Sequence, residues 1–447
     1  MEALEKHIEN IVAEIKRIPE IHFFGRVTSV KGLLAECDGL DRFTSIGSRC
    51  SITARDGHEV IAEVVGFREK TALLMPFTEL DGVGPGCKVK LEEEQAVVYP
   101  HESWKGRVIN AMGEPIDGKG PLIKGDRSYP FRNRPPVSHA RRRVKDKIDL
   151  GVRAVNTFLT CCRGQRMGIF AGSGIGKSML ISMLTKFSAA DMKVIGLIGE
   201  RGREVQEFLE EYLGEDGLAS AVIVVSTSNE SALMRRQASY LTMSIAEYFR
   251  DDGKEVLCLM DSVTRFAMAQ REIGLSAGEP PTSKGYTPTV FSELPRLLER
   301  AGPGTGEQGD ITGLFSVLVE GDDHNEPISD AVRGILDGHI VLDRGIAQRG
   351  RYPAINILRS VSRTMPHCNN GDENKMVGKA RELLSTYEDM AEMIRLGAYR
   401  KGTDPKIDEA MQYYPALERF LHQAPKERST LEEGYTELAR ILAGVKS

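Results

Sequence analysis

The run Ala171-Gly172-Ser173-Gly174-Ile175-Gly176-Lys177-Ser178 sets three glycines, a lysine and a hydroxyl at spacings suited to a phosphate chain. Gly172, Gly174 and Gly176 let the backbone curl around Ser173 and Ile175, so that successive N–H groups and the start of a following helix face an anion. In such a loop Lys177 reaches the β- and γ-phosphates of a nucleoside triphosphate, and the Ser178 hydroxyl ligates Mg²⁺. The flanks fit: R-M-G-I-F before the loop reads as a strand, and S-M-L-I-S-M-L after it reads as a helix. Ala171 stands where the usual pattern has glycine, and a side chain that small still permits the turn.

Two carboxylates end strand-like runs elsewhere. V-L-C-L-M at 256–260 leads into Asp261, a place for a carboxylate that holds Mg²⁺ through water. K-V-I-G-L-I-G leads into Glu200, followed by Arg201, Gly202, Arg203 and Glu204. Glu200 there either orients and deprotonates an attacking water or pairs with a neighbouring arginine, and these residues alone leave both readings open.

The elements that must position these groups alternate between about 145 and 360. Apolar runs such as K-V-I-G-L-I-G, A-V-I-V-V-S, G-L-F-S-V-L-V and A-I-N-I-L are separated by helical stretches, which predicts a mostly parallel sheet wrapped by helices. Before it, from about 22 to 95, short β-rich runs broken by Asp-Gly and Gly-Pro-Gly turns predict a small β-barrel or sandwich. A connector at 130–143, rich in proline and arginine, reads as a solvated linker. Beyond about 365 the pattern is 3.6-periodic, as in a helical domain. Residues 1–20 carry Leu4, Ile8, Ile11, Val12 and Ile15 at helical spacing, an amphipathic helix that packs on its own domain or binds a partner. The expected division is a helix at 1–20, a β-barrel domain at 21–95, an α/β nucleotide-binding domain at 96–364 and a helical domain at 365–447.

With 447 residues, the chain is long enough for several cores. A formal net charge of -5 gives no bulk attraction to nucleic acid or anionic membrane. Seven cysteines, odd in number and without C-x-x-C spacing, disfavour a disulfide framework or a zinc site and predict reduced thiols in the cytosol. No stretch approaches 18 apolar residues, and the first residues lack the pattern of a signal peptide.

Five segments together resemble the catalytic subunits of rotary ATP synthases and their relatives: G-R-V-I-N-A-M-G-E-P-I-D-G-K-G-P-L, R-G-Q-R-M-G-I-F-A-G-S-G-I-G-K-S, I-G-E-R-G-R-E-V, L-M-D-S-V-T-R-F-A and P-A-I-N-I-L-R-S-V-S-R. Within that family, G-E-P-P-T-S-K-G-Y-T-P-T-V-F-S-E-L-P-R-L-L-E-R-A-G and A-Y-R-K-G-T-D-P-K-I-D-E-A are similar to the type III export ATPases, flagellar members included. The resemblance implies a RecA-like core that hydrolyses ATP with Mg²⁺. It makes Glu200 the catalytic base, Arg201 a support for the γ-phosphate site, and Asp261 the carboxylate behind Mg²⁺. Tyr352 is the aromatic packed on adenine, and Arg363 the arginine that reaches the neighbouring subunit's nucleotide. It also implies a homo-hexameric ring in the cytoplasm, at the periphery of the inner-membrane export apparatus. Expected partners are a regulatory protein at the N-terminal helix, a central stalk protein, the export gate, chaperones and exported proteins.

Three rivals share the core. A noncatalytic ring subunit carries glutamine where this chain has Glu200. A termination-factor-like RNA translocase needs a single-strand-binding module, yet Phe23, Phe24, Phe43, Phe67 and Phe77 have few basic neighbours, so no nucleic acid is expected. A rotary synthase subunit needs a second ring-forming chain.

Overall fold

The computed structural model describes residues 21–319 and 326–444. The helix expected at 1–20 lies outside the described residues. The chain divides near Ala96 into two compact units.

The first unit is a closed six-stranded barrel of β1 (Phe24–Lys31), β2 (Leu34–Asp38), β3 (Arg49–Thr53), β4 (Glu59–Arg68), β5 (Thr71–Pro76) and β6 (Lys88–Glu93), in the order β1-β2-β5-β4-β3-β6. Inward side chains Val27, Ile52, Val64, Leu74 and Val89 fill it, as the period-two alternation of half-buried strands requires. Phe77 is buried, and Phe23 stacks on Phe43 with ring centroids 4.0 Å apart.

In the second unit β7 (Val97–Val98) pairs with β9 (Tyr129–Pro130), and the remaining strands build one sheet: β8 (Val108–Asn110), β10 (Arg166–Ala171), β11 (Met192–Glu200), β12 (Ala221–Thr227), β13 (Val256–Asp261), β14 (Ile311–Leu318), β15 (Gly338–Leu342) and β16 (Ile355–Ser362). Their order is β16-β15-β10-β14-β13-β11-β12-β8. All neighbours are parallel except β15 and β16. The central strands are buried along almost their whole length, which is why they read as continuous apolar runs rather than alternating ones.

The connector is not solvated as expected. Arg141 donates to the carbonyls of Ala301 and Glu299, and Arg142 to those of Gly306 and Gln308 and to Asp310. Arg300, 1% exposed, holds the connector from beneath, bonding the Phe131 carbonyl at 2.6 Å and both Glu247 oxygens. Arginine serves here as a multidentate clamp for backbone carbonyls that would otherwise lack partners.

Helices Gly371–Arg395, Pro405–Leu421 and Leu431–Leu442 form the tail. Asn370 with Glu373, and Thr430 with Glu433, close capping boxes at two of their starts. Their apolar faces, through Leu384, Leu417, Phe420 and Leu438, join one continuous core with Val155 and Phe158 of the sheet-bearing unit. The tail is therefore part of that unit's hydrophobic core and does not hang from it as an appendage.

Candidate active site

The phosphate-binding loop follows β10, and the helix Lys177–Phe187 follows the loop. Gly176 has φ 89°, a left-handed conformation open to glycine, and a side chain there would meet the Tyr352 ring at 3.3 Å. Ile175 is buried and anchors the loop in the core, while Ser173, Gly174 and Ser178 are exposed. Gly172, Ser173, Gly174, Gly176, Lys177 and Ser178 line a cleft of about 1030 Å³ at the C-terminal edge of the strands, where open parallel sheets place their ligands.

Two strands away, β13 delivers Asp261 and its neighbour β11 delivers Glu200 to the same edge. A register shift between Ile198 and Glu200 in the pairing with β12, with Gly199 at φ 70°, turns Glu200 out of the strand line. The Lys177 ammonium lies between the two carboxylates, 3.3 Å from Glu200 Oε1 and in close contact with Asp261 Oδ1. Ser316 of β14 donates to the same Asp261 oxygen at 2.6 Å. Burial acts to lower the Lys177 pKa, but Asp261 and Glu200 more than offset it and the lysine is held charged. Burial, then the Asp261 carboxylate, push the Glu200 carboxyl up to about 7 against the pull of Lys177. The ion pair of Glu200 is thus with the loop lysine, and the neighbouring Arg201 pairs instead with Glu204, at 3.2 Å.

The other expected residues divide. Arg201, 81% exposed at its side chain, and Tyr352, 40% exposed, both line the cleft. Arg363 does not line it. It follows the end of β16, which runs antiparallel to β15 with Ser362 opposite Gly338. Its N–H donates to the Asp337 carbonyl, and the Asp337 carboxylate binds Arg166, the first residue of β10. Arg363 therefore sits at the opposite sheet edge from the loop, roughly 20 Å away along β10 at about 3.3 Å per residue.

Several lining residues were not singled out from the sequence. Arg344 donates to the Ser173 carbonyl at 3.1 Å and braces the loop from outside. His422, Gln423, Ala424 and Pro425 come from the helical tail, and Gln423 N–H donates to the Tyr352 carbonyl at 2.9 Å. Thr264 and Arg265 also line the cleft, and they do lie in the quoted L-M-D-S-V-T-R run.

For Mg²⁺, the donor set fits. Among the described residues no group of three or more His, Cys, Asp or Glu is arranged to cage a metal. What the cleft offers is the Ser178 hydroxyl and the Glu200 carboxylate, with the Asp261 carboxylate buried outside the lining behind Lys177, hard oxygens in small number. That suits an ion which keeps several waters and takes the rest of its ligands from phosphates. A cation already occupies the space between the carboxylates in the form of the Lys177 ammonium.

Residues 151–362 match the nucleotide-binding domain of the ATP synthase alpha/beta family, 27–91 that family's beta-barrel domain, and 370–440 the C-terminal domain of the type III secretion ATPase EscN. The chain is 57% identical to the flagellum-specific ATP synthase of Caulobacter vibrioides over 97% of its own length and 99% of that protein's. It is 50% identical to the flagellum-specific ATP synthase of Bacillus subtilis, over 94% and 95% of the two chains. The assembled ATPase EscN of the enteropathogenic E. coli type III secretion system superposes with a TM-score of 0.87 at 38% identity, over 94% of this chain and 100% of that one. EscN in complex with its central stalk EscO gives 0.86 at 37%, with the same coverage. No described helix is long and apolar enough to cross a membrane. Identity at this level along almost the whole chain, in a fold that brings loop, lysine and carboxylates to one sheet edge, makes this chain a member of the ATP synthase alpha/beta family, in its flagellum-specific and type III secretion branch, and an ATP hydrolase.

Proposed function

We propose that the chain hydrolyses Mg·ATP as one subunit of a cytoplasmic homo-hexameric ring whose turnover energises flagellar or related type III protein export. The observation that carries the chemistry is the Lys177 ammonium shared between Glu200 and Asp261 at the mouth of the loop. An ammonium held there in the free chain exchanges carboxylate oxygens for phosphate oxygens when ATP enters, and this releases Glu200 for water. The loop N–H groups and Lys177 then hold the β- and γ-phosphates, Ser178 and Asp261 hold Mg²⁺, and Tyr352 packs on adenine. Mg²⁺ when bound neutralises charge that develops on the phosphoryl oxygens. Glu200 orients water in line with the γ-phosphate and takes its proton, with the exposed Arg201 close by. Arg363, at the far edge of its own sheet, serves the neighbouring subunit's nucleotide.

Glu200→Gln tests this reading: the amide still hydrogen-bonds water but accepts no proton. Mg·ATP binding stays within about threefold while turnover falls by about 10² or more, the range of a lost general base. Equal losses in binding and turnover would instead make Glu200 a structural partner of Lys177.

The same reading assigns residues 1–20 to a regulatory partner, a central stalk to the ring, and the export gate, chaperones and exported proteins to the assembled machine. Its support is the apolar stripe from Leu4 to Ile15 and the stalk present in the EscO complex of the related EscN. Deleting 1–20 leaves basal ATPase intact and abolishes the regulatory interaction. A truncated chain that unfolds or precipitates places that stripe in the chain's own core instead.

A further inference from the structure

After the helix Pro405–Leu421 the chain runs through His422, Gln423, Ala424 and Pro425, which line the cleft together with Tyr352. Gln423 is only 1% exposed. Its side chain carries an acceptor and two N–H donors, and all are engaged. Oε1 accepts from the Arg153 N–H at 2.7 Å, while Nε2 donates to the Gly151 carbonyl at 2.9 Å and to the Glu427 carbonyl at 2.7 Å. The backbone N–H of Gln423 donates to the Tyr352 carbonyl at 2.9 Å. One buried residue thus joins the start of the helix Arg153–Phe158, the turn at Glu427 and the segment that carries Tyr352.

We propose that Gln423 is a positioning residue for the base of the nucleotide: by fixing Tyr352 and the wall from Gln423 to Pro425 it sets the KM for ATP, with no part in the chemistry at the phosphates. This rests on the reading above in which Tyr352 packs on adenine.

The Tyr352 ring lies against the loop at Gly176, where a Cβ would meet it at 3.3 Å. Its backbone is tied to the tail twice: Gln423 holds its carbonyl, and the preceding Arg351 pairs with Glu418 at 3.2 Å. Arg153 secures the wall itself. It donates to the Phe420 carbonyl at 3.1 Å and pairs with Glu427, whose other carboxylate oxygen accepts from the Ala424 N–H at 3.1 Å. Gln423 connects these two sets of anchors. A base stacked on an aromatic face gains roughly 5- to 150-fold in affinity, and only while that face is held in place.

The Gln423 amide is spent on the protein and does not itself read the base. Its partners are Gly151, Arg153, Tyr352 and Glu427, and not the phosphate-binding loop, Glu200 or Asp261. Its loss therefore acts on binding of the base and leaves the reacting groups where they are. Glutamine suits the task because it is uncharged and offers acceptor and donors on one stem. Methionine has nearly the same length and removes all three side-chain bonds, so the backbone bond to Tyr352 loses its support. Glutamate keeps the bond from Arg153 but sets a carboxylate against the Gly151 and Glu427 carbonyls.

The test measures Gln423→Met in the full chain by steady-state kinetics with ATP, and by inhibition with Mg·tripolyphosphate, which carries the phosphates and no base. The expected result is a KM for ATP raised about tenfold, with kcat and the tripolyphosphate inhibition constant each within about twofold of the unaltered chain. Gln423→Glu is expected to raise KM in the same way. An unchanged KM overturns the proposal, as does a kcat that falls as far as KM rises. Tripolyphosphate inhibition weakened as much as ATP binding also overturns it, because the whole cleft has then loosened. A chain that unfolds with both substitutions makes Gln423 a residue of the fold alone, and the proposal fails. Tyr352→Ala tests the underlying reading separately: an unchanged KM for ATP there removes Tyr352 from the base, whatever Gln423→Met gives.

Discussion

Glu200 is held between opposing charges, with Asp261 raising its pKa and Lys177 lowering it, and burial sets the balance upward to about 7. A base works only when ionised, so kcat/KM, which reports the free enzyme, rises as pH rises through about 7. Stability runs the other way. The folded chain keeps a proton on Glu200 that the unfolded chain has already lost. Its contribution is therefore full below the ordinary carboxylate value of 4.5 and is lost as pH rises toward 7. Lys177 stays charged throughout, since its pKa is raised. Turnover measured from pH 6 to 9 checks this, and a flat kcat/KM profile would separate Glu200 from the proton transfer. At this scale the sequence was informative wherever a role depends on near neighbours. The loop from Gly172 to Ser178 could be read from a short window, as could the strand-end positions of Asp261 and Glu200, but whether Glu200 is a base or an ion-pair partner rested on the family resemblance. Tyr352 needed the family resemblance, because an aromatic before a proline has no chemistry of its own. Arg344 and Ser316 could not be found at all: their partners, Ser173 and Asp261, lie far away in sequence, and no periodicity joins them.

The strands turn those separate residues into a site. β10, β13 and β11 are parallel, so all three C-terminal ends meet at one edge, and the parallel sheet was legible from its apolar runs. The short β8 and β15 were not, since three- and five-residue strands carry too little pattern. Nor was the reversal at β16, although that reversal decides where Arg363 goes. Gly199 does a comparable job within β11. Its φ of 70° kinks the strand just before Glu200, and a Cβ there would come within 3.0 Å of Arg265 Cβ and Cγ, the rigid base of that side chain. Gly199→Ala therefore costs about 1 to 2 kcal/mol in stability from the left-handed backbone alone. It also swings Glu200 and Arg265 out of place, lowering kcat by about 10² while ATP affinity holds within about threefold. Denaturant unfolding and steady-state kinetics on the same preparation check both parts, and an unchanged kcat would show that the kink does not aim the base.

On the scale of the whole molecule, the proposed function gives one chain both halves of a site that it cannot assemble alone. The sheet puts the phosphate-binding loop at one edge and Arg363 at the other, roughly 20 Å apart by the rise of the intervening strand. A guanidinium that stabilises charge on the phosphoryl oxygens must touch them, so under the role proposed for it Arg363 is expected to act on ATP held by another copy, as a head-to-tail ring arranges. Arg363→Ala then binds ATP nearly as the unaltered chain does and loses about 10³ to 10⁵ in turnover, the usual contribution of an arginine finger. Lys177→Ala fails for the opposite reason, because its own loop no longer holds the phosphates while its arginine is intact. Mixed and allowed to assemble, the two inactive chains recover activity at each interface where an intact loop meets an intact arginine. Random assembly of equal amounts in a head-to-tail ring makes about one interface in four of that kind, so activity approaches about a quarter of the unaltered ring's. Specific activity of the unaltered chain also rises with its own concentration as copies associate. Mixed rings verified by mass and still inactive would place Arg363 outside the shared site, since nothing else in the argument depends on which copy supplies it.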